Sequence, residues 1–128
     1  MHEKRVEIRW RDLDAYHHVN NAVYSTYLEE CRDEWLERAL GTVDEAWDFV
    51  LARVAIDFRR ELRLEDDAVI VRCGLARIGR SSVATREEIR VNGELAVEAE
   101  AVLVARDAGT RRSRPLRPAE RRALELAG

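Results

Sequence analysis

Residues 21–40 read NAVYSTYLEECRDEWLERAL, and this stretch decides the fold. Tyr24, Tyr27, Leu28, Cys31, Trp35 and Ala39 recur at intervals of three and four, while Glu29, Glu30, Arg32, Asp33, Glu37 and Arg38 fill the other side. That spacing gathers the apolar side chains into one stripe and predicts a helix of about five turns with one face laid on a core. Asn20 or Asn21 can cap its start, because an asparagine side chain accepts a hydrogen bond from a free first-turn N–H. Gly41 follows the last periodic residue, where glycine commonly closes helices.

On both sides of this helix the period changes to two, the period of strands. In 3–10, Val6, Ile8 and Trp10 face one way and Glu7 and Arg9 the other. In 49–62, Leu51 and then Val54, Ile56 and Phe58 share a face, with Asp57 and Arg59 opposite. RLEDD (63–67) reads as a turn. Val69, Val71, Cys73 and Leu75 alternate through 68–77, and GRSS (79–82) is the next turn. In 83–91, Val83, Thr85, Ile89 and Val91 form a face that Glu87 interrupts, which predicts a bulge or a functional exception. Asn92-Gly93 signals a tight hairpin. The last strand, 94–106, is apolar on one face from Leu95 to Ala105. Its other face changes from Glu94, Ala96, Glu98 and Glu100 to Val102 and Val104. That second half is expected to be covered on both sides, and in a chain this small the cover can come from a second subunit. Pro118 opens a short C-terminal helix. The order is strand, long helix, then four strands read as a hairpin succession. This predicts an α+β fold, a five-stranded antiparallel sheet with one long helix across a face.

The chain has 128 residues, read as a single domain over 1–128, with 46% hydrophobic and 37% charged residues. Its net charge of -3 argues against nucleic acid as the main partner, since phosphate neutralisation needs surplus cations. Lys4 is the only lysine, and a GC-rich genome produces the same arginine bias, so arginine abundance alone carries no function. Cys31 and Cys73 lack metal or redox spacing and are expected to be buried free thiols. The N-terminus has no apolar signal core, and no apolar run approaches the roughly 18 residues of a membrane span. These features predict a cytoplasmic protein without a membrane segment.

The chemistry concentrates just before the helix, in RDLDAYHHVNNAVY (11–24). Asp12-Leu13-Asp14, His18-Val19-Asn20-Asn21 and Tyr24 resemble the D-x-D-x-x-x-H-V-N-N-x-x-Y signature of hot-dog fold thioesterases, in particular the 4-hydroxybenzoyl-CoA thioesterase-like acyl-CoA thioesterases. Acyl-carrier-protein thioesterases carry a similar string. AIDFRREL (55–62) resembles the family's second strand and RIGRSS (77–82) the turn before its fourth, so the likeness spans nearly the whole chain. The chain departs from the pattern at three positions. His17 stands where the family often has glycine, Tyr16 where the plant carrier-protein enzymes have asparagine, and Glu61 where the second-strand segment usually has proline.

Thioester hydrolysis needs an activated water or a carboxylate nucleophile, and donors for the carbonyl oxygen as it gains charge. A helix N-terminus supplies such donors, because its first N–H groups lack partners and its dipole end is positive. The resemblance implies a hot-dog fold with Asp14 as the catalytic carboxylate, nucleophile or general base, and the oxyanion donor at a backbone N–H near Asn20 or Asn21. His18 either fixes Asp14 through the loop or transfers a proton. His17, Asn20, Tyr24, Arg59, Arg60, Arg80, Ser81 and Ser82 are the candidate substrate contacts, the arginines for CoA phosphates. The bland alternatives are a solvated turn or cap for Asp14 and the asparagines, core for Tyr24 and solvated surface for each arginine. A metal held by Asp12, Asp14, His17 and His18 is disfavoured, because adjacent histidines on one loop seldom reach one ion. The implied protein is an acyl-CoA thioesterase acting as a homodimer or homotetramer without cofactor, metal, nucleic acid or membrane. Its rivals are an acyl-carrier-protein thioesterase, a non-catalytic binder of an acyl ligand, and a hydratase. The hydratase lacks its usual later Asp/His segment here.

Overall fold

The computed structural model describes residues 1–41, 43 and 47–128. The elements are β1 (His2–Glu7), α1 (Asn21–Leu40), β2 (Phe49–Phe58), β3 (Ala68–Ile78), β4 (Ser82–Val91), β5 (Glu94–Ala105) and α2 (Pro118–Ala127). All five strands join one antiparallel sheet, in the order β1-β3-β4-β5-β2. It curls around α1, which is the expected α+β, hot-dog arrangement. Helix α1 buries Tyr24, Tyr27, Leu28, Cys31, Trp35 and Leu36 against Val69, Val71, Cys73 and Ile89 of the sheet. It runs over the β1-β3-β4 part of the sheet, and α2 packs beside it.

The hairpin succession holds for β3-β4-β5 but not for β2. Strand β2 pairs only with β5 and forms an edge, while β3 pairs with β1 and β4. Residues 59–67 therefore form a strap that crosses from one side of the sheet to the other. The strap leaves β2 with the Arg59 and Arg60 N–H groups both donating to Ala96 O, at 2.8 and 3.2 Å. It ends in a 3-10 turn over Leu64–Asp66, with Asp67 at φ +68.

Three readings change for local reasons. Trp10 does not continue the Val6–Ile8 face. The Asp12 carboxylate accepts from the Arg9 N–H at 3.0 Å, which turns the chain into a 3-10 helix and leaves Trp10 78% exposed. Arg32 does not face solvent. It is 3% exposed, and its Nε and Nη2 donate to Glu87 at 2.8 and 2.9 Å. That ion pair, rather than a bulge, explains the charged interruption of β4, since Glu87 stays in register with Cys73 and Ala99. A bulge does fall between Leu51 and Arg53, where the apolar phase of β2 slips. Gly41 follows α1 with φ -62, so no left-handed residue closes the helix there. Cys31 and Cys73 are free and buried, as expected. Val102 and Val104 are half-buried on the sheet face away from α1.

Candidate active site

The polar stretch before α1 folds into a tight loop that its own residues close. Asp12 turns inward to 3% exposure. Its Oδ2 accepts from Tyr27 Oη at 2.6 Å, and its Oδ1 from Arg9 Nη2 at 3.1 Å. Burial pushes the Asp12 carboxyl up, but the hydrogen bonds from Tyr27 and Arg9 outweigh it and hold the group below the usual carboxylate range. Burial and the same hydrogen bond push the Tyr27 phenol well above its ordinary value. Asp12 is therefore the anchor of the loop. The two aspartates of the motif do not converge, and among the described residues no group of three His, Cys, Asp or Glu side chains could hold a metal ion.

From this anchor the backbone makes a turn. Asp14 N–H donates to His18 O at 2.9 Å, and His17 N–H to Asp14 O at 3.2 Å. His17 sits at φ +66, in the left-handed region that glycine adopts without strain. The turn leaves the Asp14 carboxylate with two contacts: Oδ1 accepts from Tyr16 N–H at 2.8 Å, and Oδ2 lies 3.2 Å from His18 Nδ1. The Asp14 side chain keeps 20% of its exposure and the His18 side chain 33%. A carboxylate offers about four lone-pair positions, so Asp14 retains capacity for a water or an acyl carbon.

The helix start lies at the end of the same turn. Asn20 is the N-cap: its Oδ1 accepts from Ala22 N–H at 2.9 Å, and its own N–H donates to Asp12 O at 2.9 Å. Among the described residues the Asn21 N–H meets no acceptor. An uncommitted N–H at the positive end of α1 is a donor suited to a developing oxyanion. The strap braces the arrangement from below. Val19 N–H donates to Leu62 O at 2.7 Å, and Leu62 N–H donates to Tyr24 Oη at 2.9 Å. Tyr24 is buried with its ring edge-on to Phe58 at 5.0 Å, so it is a wall that ties α1 to the strap. Burial pushes its phenol above the ordinary value.

Asp14, His17, His18, Asn20, Asn21 and Tyr24 thus share one end of the molecule. Arg59 and Arg60 lie at that end too, but each is paired: Arg59 with Glu98 at 2.8 Å, Arg60 with Asp66 at 3.0 Å and Glu94 at 2.9 Å. Arg80, Ser81 and Ser82 lie at the other end of β3, whose length puts them on the order of 30 Å away. Tyr16, Glu61, Arg63 and Glu65 join His17 and His18 around one cavity of about 310 Å³. Glu61 and Arg63 were not among the expected contacts. The sequence had marked Glu61 only as a departure from the family pattern, and Arg63 and Glu65 not at all.

The comparisons with known proteins agree with this fold. The family model of the thioesterase-like superfamily matches residues 8–124. The long-chain acyl-CoA thioesterase FadM of Escherichia coli K12 is 28% identical over 127 residues, covering 96% of each chain. A thioesterase from Thermus thermophilus, solved in complex with coenzyme A and Zn, superposes with a TM-score of 0.87. It is 33% identical and covers 98% of this chain and 92% of its own. YbaW, a probable thioesterase from Escherichia coli, gives a TM-score of 0.87 at 26% identity, covering 99% of this chain and 98% of its own. The family match over nearly all of the chain, on a sheet curled around one helix, places this protein in the thioesterase-like superfamily as a hot-dog fold thioester hydrolase.

Proposed function

We propose that the protein hydrolyses acyl-CoA thioesters to the free acid and CoA, with Asp14 as nucleophile or general base. The observation that carries this reading is the partly exposed Asp14 carboxylate on a fixed turn, next to a helix start whose Asn21 N–H meets no acceptor among the described residues. The thioester carbonyl oxygen accepts from that N–H as it gains charge. Asp14 then either attacks the acyl carbon and expels the CoA thiolate, leaving an acyl anhydride that water hydrolyses to the free acid, or takes the proton of a water that attacks the acyl carbon as the thiolate leaves; in both cases the thiolate is protonated from solvent. His18 holds Asp14 in place through Nδ1. The relatives named for acyl-CoA hydrolysis and for bound coenzyme A support CoA as the carrier.

The active form is a homodimer or a homotetramer, in the cytoplasm. Supporting this, the free edge of β2 carries Leu51 and Phe58 at 47% and 48% exposure, with Val54 and Ile56 half-buried beside them. The acyl chain lies between helix and sheet at that interface. Arg80, Ser81 and Ser82 are too far from Asp14 in their own chain, so they meet CoA only at the site of a second copy.

A thiol-release assay over aromatic, short, medium and long acyl-CoA substrates, with matched acyl-carrier substrates, tests the proposal. Turnover of at least one acyl-CoA faster than its carrier-bound counterpart is expected. Faster turnover of the carrier substrates would make the protein a carrier-protein thioesterase. Retention of an acyl ligand with no thiol release would make it a binding protein.

A further inference from the structure

The strap between β2 and β3 brings a second carboxylate to His18. Glu61 Oε2 lies 3.9 Å from His18 Nε2, while Asp14 Oδ2 lies 3.2 Å from Nδ1. One imidazole therefore stands between two carboxylates on opposite sides of its ring. Glu61 divides its oxygens: Oε1 accepts from Arg63 Nε at 2.8 Å and from Arg63 Nη2, and Oε2 is left toward His18. The backbone fixes both partners, because His18 bridges to Arg63 and Val19 N–H donates to Leu62 O. Tyr16 covers the ring, stacked at 6.0 Å and 21°.

We propose that Glu61 is a positioning residue: its carboxylate holds the His18 ring with Nδ1 turned to Asp14. The proposal rests on the reading of Asp14 as the reacting carboxylate. At 3.9 Å the contact is longer than a hydrogen bond, so Glu61 acts through its charge, on an imidazolium whose Nε2 carries a proton while Nδ1–H faces Asp14. In this role Glu61 does not touch the thioester. Its removal loosens the ring, and with it the aim of Asp14, without changing substrate affinity.

Glu61→Ala and Glu61→Gln test this by steady-state kinetics and by nitrogen-15 NMR of the imidazoles. The chain has three histidines, so a His18→Gln spectrum assigns the His18 signals. Both variants are expected to lower kcat roughly 10-fold with KM within about 2-fold, the signature of lost orientation. The His18 ring signals are expected to move in both variants while those of His2 stay in place. Wild-type kcat in Glu61→Gln, or His18 signals that superimpose on the wild type, would overturn the proposal. The two readings fail separately. An active Asp14→Asn removes the role of Asp14, whatever the Glu61 variants do to the His18 signals. Unmoved His18 signals remove the role of Glu61 even if Asp14→Asn is inactive.

Discussion

Glu87 and Asp14 are both carboxylates beside the central helix, and they are wired in opposite ways. Glu87 has no exposure, and its oxygens are taken up by Arg32 Nε and Nη2 and by Thr85 Oγ1 at 2.5 Å. Asp14 stands on a turn, keeps part of its exposure and shares its two oxygens with one backbone N–H and one imidazole. The first arrangement is closed: it offers nothing to a substrate, and any loss leaves an uncompensated charge in the core. The second keeps lone pairs and water access, which chemistry at a thioester requires. Charge in a small core is therefore no guide to function here. The number of uncommitted acceptor positions is.

The comparison breaks most severely at the closed pair. Arg32→Ala strands the Glu87 carboxylate and is expected to cost about 3–5 kcal/mol, read as a drop in the denaturant midpoint. A cost below about 1 kcal/mol would mean that water reaches Glu87 and the pair is not closed.

Asp12 sharpens the contrast from within the motif, because it shares the loop with Asp14 and yet is buried. Tyr27→Phe removes one donor and is expected to cost about 1–3 kcal/mol in a denaturant titration. The pH dependence has a definite sign. The folded-state pKa of Asp12 lies below its unfolded value, so its contribution is present above the ordinary carboxylate range and disappears as pH falls through the folded value. Tyr27→Phe raises the folded value, so the acid-unfolding midpoint, followed by circular dichroism, is expected to move to higher pH. An unchanged midpoint would mean that Asp12 is no acid-sensitive anchor.

His17 is the smallest effect. Glycine adopts φ +66 without the clash a side chain brings, so His17→Gly is expected to stabilise by about 1 kcal/mol and raise Tm. A lower Tm would show that the imidazole of His17 makes a contact worth more than the strain.

Periodicity made α1 legible almost to the residue, because its stripe faces a core and Asn20 caps it. It also located β3, β4 and β5, whose turns carry their own signals. The pairing of β2 with β5 was not legible, since local pattern says nothing about which strand an edge strand joins. Glu87 broke the pattern of its strand while Arg32 fitted the polar side of the helix, and only the fold puts the two opposite each other. At the site, the motif marked Asp14, His18 and the helix start. Glu61 stood out in the sequence only as a departure from the family pattern, because its approach to His18 arises from the strap's crossing, which no local spacing encodes. Arg80, Ser81 and Ser82 join the site by resemblance alone, and the length of β3 separates them from it within one chain.

The central claim is that Asp14 is the open, reacting carboxylate. It is tested most directly by Asp14→Asn, assayed for thiol release on the best acyl-CoA substrate alongside a thermal melt. A fall in kcat/KM of about 10²–10⁴-fold is expected, with stability within about 0.5 kcal/mol of the wild type. Wild-type turnover in a folded Asp14→Asn protein would contradict the account.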